Sequence, residues 1–242
     1  MSERTAASYA GRRGSIDPAV ASAPRPAWLD TIADRLPETD PEWFSRFLPP
    51  DDGGRESAVL ILFGPAPAGA ADGGEHVLLI ERSHDMRSHA AQLAFPGGGR
   101  DPEDVDLVAT AMREAREETG LDPAGVEVVS TLPSLFLPPS GYVVAPVLAW
   151  WSHPTPVSVV DPVEVHDVLS VPVAWLLDPD NRHTVRHPSG FVGPAWDIDD
   201  LLLWGFTAGL LNRVLELSGL TRDWDQKRFK PLPERFMGGQ RG

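Results

Sequence analysis

Three glutamates, Glu114, Glu117 and Glu118, stand in a run reading Arg113-Glu114-Ala115-Arg116-Glu117-Glu118-Thr119-Gly120-Leu121. On a helix of about 3.6 residues per turn they occupy positions i, i+3 and i+4, so all three project from neighbouring parts of one surface. Carboxylates packed this closely repel one another unless positive charge lies among them. Hard divalent cations such as Mg²⁺ and Mn²⁺ prefer oxygen ligands, and a cluster of this kind suits them. A solvated acidic face is the plainer explanation of most such runs. Here Leu107, Val108, Ala111, Met112 and Ala115 define an apolar stripe, and Glu114 and Glu118 fall at its edge rather than opposite it. Carboxylates that abut a core face belong to a cleft more readily than to open solvent. Arg113 precedes Glu117 by one turn and is placed to hold it. Just upstream, Pro96-Gly97-Gly98-Gly99 is backbone that a ligand or an ion can approach closely.

A helix from about residue 104 to 119 must carry these carboxylates, with Asp101 or Asp104 as its N-cap and Gly120 just past its end. Apolar runs at 57–63, 76–82, 126–132, 143–151 and 164–173 read as strands, with a short apolar piece at 93–95 entering the glycine loop. Residues 185–187 and 191–198 suggest a hairpin, and 203–217 an amphipathic closing helix. Two short helices fit between residues 26 and 48. Residues 1–24 lack periodicity and read as a flexible arm, 25–223 as a single domain, and 224–242 as a polar tail. Strands and helices alternate without a regular βαβ rhythm. That predicts an α/β (α+β) fold, a mixed sheet with helices on both faces.

The chain of 242 residues is long enough for one generous domain, and its 42% hydrophobic content, with 8 Trp and 9 Phe, builds a substantial core. No apolar run of 18 residues argues for a membrane span, and no basic segment leads into an apolar stretch as in a secretory signal. Cysteine is absent, which excludes disulfides, zinc–thiolate sites and cysteine nucleophiles and makes a cytoplasmic location the simplest reading. A net charge of −14 repels nucleic acid and anionic lipid, so neither is expected as a partner. It repels a free polyphosphate as well. A phosphate-handling enzyme with this balance needs bound cations and a few well-placed arginines, and Arg82 and Arg87 lie just upstream of the glycine loop. Ion pairs with Glu81 or Asp85 are the plainer role for those two. His84 and His89 read as surface or loop-bonding residues.

The run from Arg113 to Leu121 resembles the Nudix box, in which a glycine-rich loop leads into a helix reading Arg-Glu-apolar-x-Glu-Glu-x-Gly-apolar. All nine positions comply, and the five fixed identities arise by chance in a chain this long with a probability on the order of 10⁻⁴. The family usually carries a further Glu six residues after the loop glycine. Counting from Gly99 puts Val105 there, and counting from Gly98 puts Asp104 there. Upstream, Leu78-Leu79-Ile80-Glu81-Arg82-Ser83, Arg87 and Phe95-Pro96-Gly97-Gly98 are similar to the additional signature of the coenzyme A pyrophosphatase subgroup. Spacing is kept, with Ile80 where Thr is usual and Ala91 where Gly is usual. Pro139-Ser140-Gly141-Tyr142, Ala145-Pro146-Val147, Glu164-Val165 and Trp204-Gly205-Phe206-Thr207-Ala208 extend the likeness over roughly residues 58–217.

The resemblance implies an α/β/α sandwich with a mixed sheet and metal-dependent hydrolysis of a diphosphate bond. Coenzyme A or a derivative would be the small-molecule substrate, giving 4′-phosphopantetheine and adenosine 3′,5′-bisphosphate. It implies Mg²⁺ or Mn²⁺ on Glu114, Glu117 and Glu118, with one of these or Glu164 as general base and Arg113 orienting the carboxylates. Arg82, Arg87, Gly97 and Gly98 are the implied substrate contacts. A strand-edge glutamate of no special role is an equal reading of Glu164. Another nucleoside diphosphate derivative (ADP-ribose, a dinucleotide or an oxidised nucleotide) is the alternative substrate. A Nudix domain kept as a ligand sensor would show eroded carboxylates, and an acidic interaction module would need none of this pattern. Nothing in the residues sets an oligomeric state, a homodimer included.

Overall fold

A computed structural model describes residues 11–44, 47–51, 53–84, 91–138, 140–188 and 190–236. Along the chain come β1 (Arg12–Arg13), α1 (Ala27–Arg35), α2 (Pro41–Phe44), β2 (Arg55–Pro65), β3 (Glu75–Arg82), β4 (Leu93–Ala94), β5 (Gly97–Gly99) and α3 (Leu107–Thr119). They are followed by β6 (Val126–Thr131), β7 (Leu135–Leu137), β8 (Tyr142–Trp151), β9 (Val165–Pro172) and α4 (Val173–Leu177). The chain then runs through β10 (Arg182–Arg186), β11 (Val192–Ile198), β12 (Leu201–Leu203), α5 (Gly205–Ser218) and β13 (Phe229–Pro231).

The main sheet has the strand order β1-β9-β3-β2-β8-β6, with β4 beside β3, β5 beside β2 and β7 beside β8. Its β2–β8 pair is parallel, and the other pairs among these strands are antiparallel, so the sheet is mixed. Strand alternation explains why it is covered on both faces. In β2, Leu60 and Leu62 meet Ala111 and Ala115 of α3, whereas Ile61 and Phe63 face a second cluster with Leu29 and Ile32 of α1 and Leu211, Val214 and Leu215 of α5. The α/β/α layering follows from that division. A smaller sheet, β12-β11-β10-β13, joins the side of α1 and α5.

Three expectations need correction. The helix begins at Leu107, not near 104: the Asp106 carboxylate accepts the Ala109 N–H at 2.7 Å and is the N-cap, in place of Asp101 or Asp104. Asp104 is drawn into an ion pair instead. Residues 11–24, read as part of a flexible arm, are tied down. Arg12 and Arg13 pair with Ser170 and Leu169 of β9, and Ile16 is buried. Short apolar and cationic residues in a Pro/Ala-rich stretch leave little periodicity by which to see such an edge strand. The tail likewise adds β13, parallel to β10, and buries Leu232 and Phe236.

No helix among the described residues is long and apolar enough to cross a membrane.

Candidate functional site

Helix α3 stops where Gly120 adopts φ +73° and its N–H bonds the Arg116 carbonyl at 2.9 Å, a left-handed cap that glycine enters without steric cost. Leu121 then turns back into the core. The helix therefore presents its three glutamates at graded depths. The Glu118 side chain is 2% exposed, that of Glu114 14% and that of Glu117 58%.

The glycine loop forms β5, paired with β2 through Ser57↔Gly99, Ala58↔Gly98 and Val59↔Gly97. It passes so close to α3 that side chains are excluded. A Cβ on Gly98 would stand 2.4 Å from Glu114 Oε1, and one on Gly97 would stand 2.3 Å from the Ala58 carbonyl oxygen. These two clashes differ in kind. Gly98→Ala is expected to fold with near-normal stability, because the mobile end of Glu114 can swing away, yet to lose activity because that carboxylate is displaced. Gly97→Ala meets backbone and should cost about 1–3 kcal/mol of stability. Thermal unfolding and turnover measured on both variants separate the effects, and parallel losses in the two would refute the distinction.

The Gly97 N–H donates to Glu118 Oε2 at 2.9 Å. Glu118 Oε1 is buried without a hydrogen-bond partner. Burial raises the Glu118 pKa to about 8. The Gly97 N–H and the Arg82 charge work against that rise, and Glu114 and Glu164 add to it. Glu114 is also raised, chiefly by burial, with Arg113 opposing.

Arg113 is the hub. Its Nη1 donates to Glu114 Oε1 at 3.1 Å and to Glu117 Oε2 at 2.9 Å, and its Nη2 donates to the Gly99 carbonyl at 2.8 Å. Its Nε and Nη2 donate to the two oxygens of Asp104 at 3.1 and 3.0 Å. Asp104 is buried and also accepts the Thr110 hydroxyl and the Asp101 N–H. The Arg113 guanidinium holds Asp104 well below the usual carboxylate range and is itself held protonated. Counting from Gly98 puts Asp104, and counting from Gly99 puts Val105, at the position before the helix where the family carries a glutamate. Val105 is 84% exposed, and Asp104 carries the contact.

Asp104→Asn is expected to destabilise the protein by about 2–3 kcal/mol at pH 7, since it breaks a largely buried charged pair. A depressed pKa means the stabilisation is complete above the ordinary aspartate value of about 3.9 and fades as the pH falls below it. Denaturant unfolding of both proteins should therefore converge in acid. A gap that persists at low pH would mean shape, not charge, is responsible.

Arg82 ends β3 on the alternation face of Ile80 and α3, half-buried, with its charge felt at Glu118. Glu164 is exposed, and its carbonyl accepts the Ser83 N–H at 2.8 Å, which sets it at the mouth of the β3–β9 pair. Structure thus brings Arg82, Arg113, Glu114, Glu117, Glu118, Glu164, Gly97 and Gly98 to one end of the sheet. Arg87 lies outside the described residues. Glu81 pairs with Arg13 and His84, where the sequence offered Arg82 as its partner. At Ala91, where glycine is usual in the signature, the backbone has φ +55°, a conformation that glycine adopts more cheaply. Arg55 and Arg100, which the sequence did not single out, line a depression of about 600 Å³ with Glu56, Asp101, Gly99 and Tyr142, and Arg100 is paired with Glu56 at 2.8 Å. The Arg55 guanidinium lies 4.1 Å from the centre of the Tyr142 ring.

The sequence profile of the NUDIX domain matches residues 66–188. Over 164 residues the chain is 35% identical to the uncharacterized Nudix hydrolase NudL of Escherichia coli O7:K1, covering 66% of this chain and 81% of that protein. The Shigella flexneri NudL is 34% identical over 171 residues, covering 69% and 84%. Among solved structures, the Nudix hydrolase RenU from M. smegmatis superposes with a TM-score of 0.44 at 21% identity, covering 72% of this chain and 95% of that one.

Proposed function

Taking as premise that this chain belongs to the Nudix family and is a pyrophosphohydrolase, we propose that its substrate is coenzyme A or a close derivative, cut at the diphosphate. The observation that carries the metal-dependent part of this reading is Glu118 Oε1. A buried carboxylate oxygen with no hydrogen-bond donor, beside a second, half-buried carboxylate, fits a site completed by a divalent cation. Glu114, Glu117 and Glu118 would hold Mg²⁺ or Mn²⁺. Bound there, the ion supplies Lewis acidity toward the phosphate oxygens and lowers the pKa of the attacking water.

Arg113 orients Glu114 and Glu117 through one guanidinium and fixes the loop through Gly99. Either one of the α3 glutamates or Glu164 takes the proton from the water. Glu164 is the more accessible base, being solvent-exposed and electrostatically coupled to Glu118. Arg82 and the glycine loop contact the diphosphate, and Arg87 serves phosphate that the cations leave uncovered. The coenzyme A assignment rests on the spacing of Leu78–Ser83, Arg87 and Phe95–Gly98.

Hydrolysis of coenzyme A, ADP-ribose, NADH and nucleoside triphosphates by the purified protein, with and without Mg²⁺ or Mn²⁺, tests the reading. Coenzyme A should be the best substrate and should release 4′-phosphopantetheine. A tenfold preference for ADP-ribose would overturn the assignment.

A further inference from the structure

On the other side of β3 from the carboxylate helix, Glu81 continues the face of Val77 and Leu79, whereas Arg82 continues that of Leu78 and Ile80. Glu81 is almost wholly buried, and its Oε1 lies 2.7 Å from His84 Nε2. The pairing of β3 with β9 slips at this point: Glu81 is opposite Asp167 and Arg82 opposite Val165, so His166 is the unmatched residue of a bulge. Bulges re-aim a side chain, and here the His166 ring comes to 4.3 Å from that of His84, tilted by 34°. One ligand atom from each of Glu81, His84 and His166 lies within 4.8 Å of the others.

A plain imidazole–carboxylate hydrogen bond accounts for His84 and Glu81. It does not account for the second imidazole brought against the first. Beside them Glu81, Asp167 and Asp200 all contact the Arg13 guanidinium, at 3.1, 2.9 and 2.8 Å, so the neighbourhood is rich in carboxylate.

We propose that Glu81, His84 and His166 form a second metal site, chemically distinct from the α3 carboxylates, for a borderline ion of the Zn²⁺ class. Two imidazoles and one carboxylate are the donor set of open tetrahedral zinc sites and a poor one for Mg²⁺. At Zn–ligand bonds of about 2.0–2.1 Å, tetrahedral ligand atoms stand roughly 3.3 Å apart. The widest separation must therefore close by at most about 1.5 Å, and the 2.7 Å Glu81–His84 contact must open slightly, shifts within reach of two exposed imidazole rings turning about their side-chain bonds. The ion would join the end of β3 to the start of β9. Arg82 and Glu164, which both act on Glu118, are near neighbours of its ligands in the chain. The site stands whatever the substrate of the enzyme is.

The full-length protein is stripped with chelator, returned to excess Mg²⁺ to keep the α3 carboxylates filled, and titrated with Zn²⁺ against a chromophoric chelator. Wild type should take up one equivalent more than the His84→Ala/His166→Ala double variant. Each single histidine variant should bind that equivalent at least about tenfold more weakly. Glu118→Gln should retain it. His84 is 55% exposed, so its loss leaves the fold intact, which circular dichroism checks. Equal uptake by wild type and the double variant would overturn the site, as would uptake lost in Glu118→Gln and kept in the histidine variants.

Discussion

Replacing Glu118 by glutamine is expected to lower turnover by at least about 10²-fold with the fold preserved, and Glu117→Gln to do the same. The two replacements remove an anionic oxygen of similar shape from very different surroundings. At Glu117 the amide costs nothing to solvate, because the side chain is largely in water and loses only a contact with Arg113. At Glu118 the amide is easier to bury than the carboxylate it replaces, and its oxygen can still accept the Gly97 N–H. Neither variant should therefore unfold, and Glu118→Gln should be the more stable of the two when metal is absent. Steady-state kinetics with thermal unfolding as a control decides the matter. Near-normal activity in both variants would remove the α3 glutamates from the reaction.

Chelation should abolish activity, which millimolar Mg²⁺ or Mn²⁺ restores and monovalent salt does not. It should also invert an ordinary trend. Burial pushes the Glu118 carboxyl up to about 8, against 4.5 for an unperturbed glutamate. A raised carboxylate pKa means the folded state holds its proton more tightly than the unfolded one, so stability falls as the pH rises through this window. The loss is on the order of 5 kcal/mol, from about 1.36 kcal/mol for each pH unit. Above pH 8 the chelated protein should melt lowest, and added divalent cation should lift it most there. Unfolding of wild type and Glu118→Gln, compared in chelator from pH 5 to about 8.5, reads this group together with its coupling to Glu114 and Glu164. Superimposable profiles would show that Glu118 is not destabilised by its burial.

The carboxylate helix was legible because its signal is local: residue type, 3.6-residue spacing and the position of Glu114 and Glu118 beside an apolar stripe all lie within one run. The strands that carry it were legible for the same reason, as apolar stretches between glycines and prolines. What escaped depends on partners distant in the chain. Asp104 looks like a helix cap until Arg113 claims it, and the cap passes to Asp106. Arg12 and Arg13 form a strand only because β9 offers an open edge. Glu81 was weighed as a partner for its neighbour Arg82, although adjacent residues on a strand face opposite ways, and its companions come from residues 13 and 84. His166 belongs with them only through a bulge that no local pattern announces.

The parallel pairing of β2 with β8 also bears on how the molecule is made. Val59 sits opposite Pro146, so strands about 90 residues apart in the chain must meet before the middle of the sheet exists. The glycine loop, α3, β6 and β7 all lie within the span that this meeting closes. Closing it carries the entropy of a long loop and slows folding, as contacts distant in sequence do. Helix α3 can form from its own turns, and its apolar side, Ala111 and Ala115, shares one cluster with Leu60 and Leu62 of β2 and Ala145 and Val147 of β8. Glu118 leaves water when α3 settles on β2 and the glycine loop, so an unfolded chain carries this costly charge exposed to solvent until those elements enclose it.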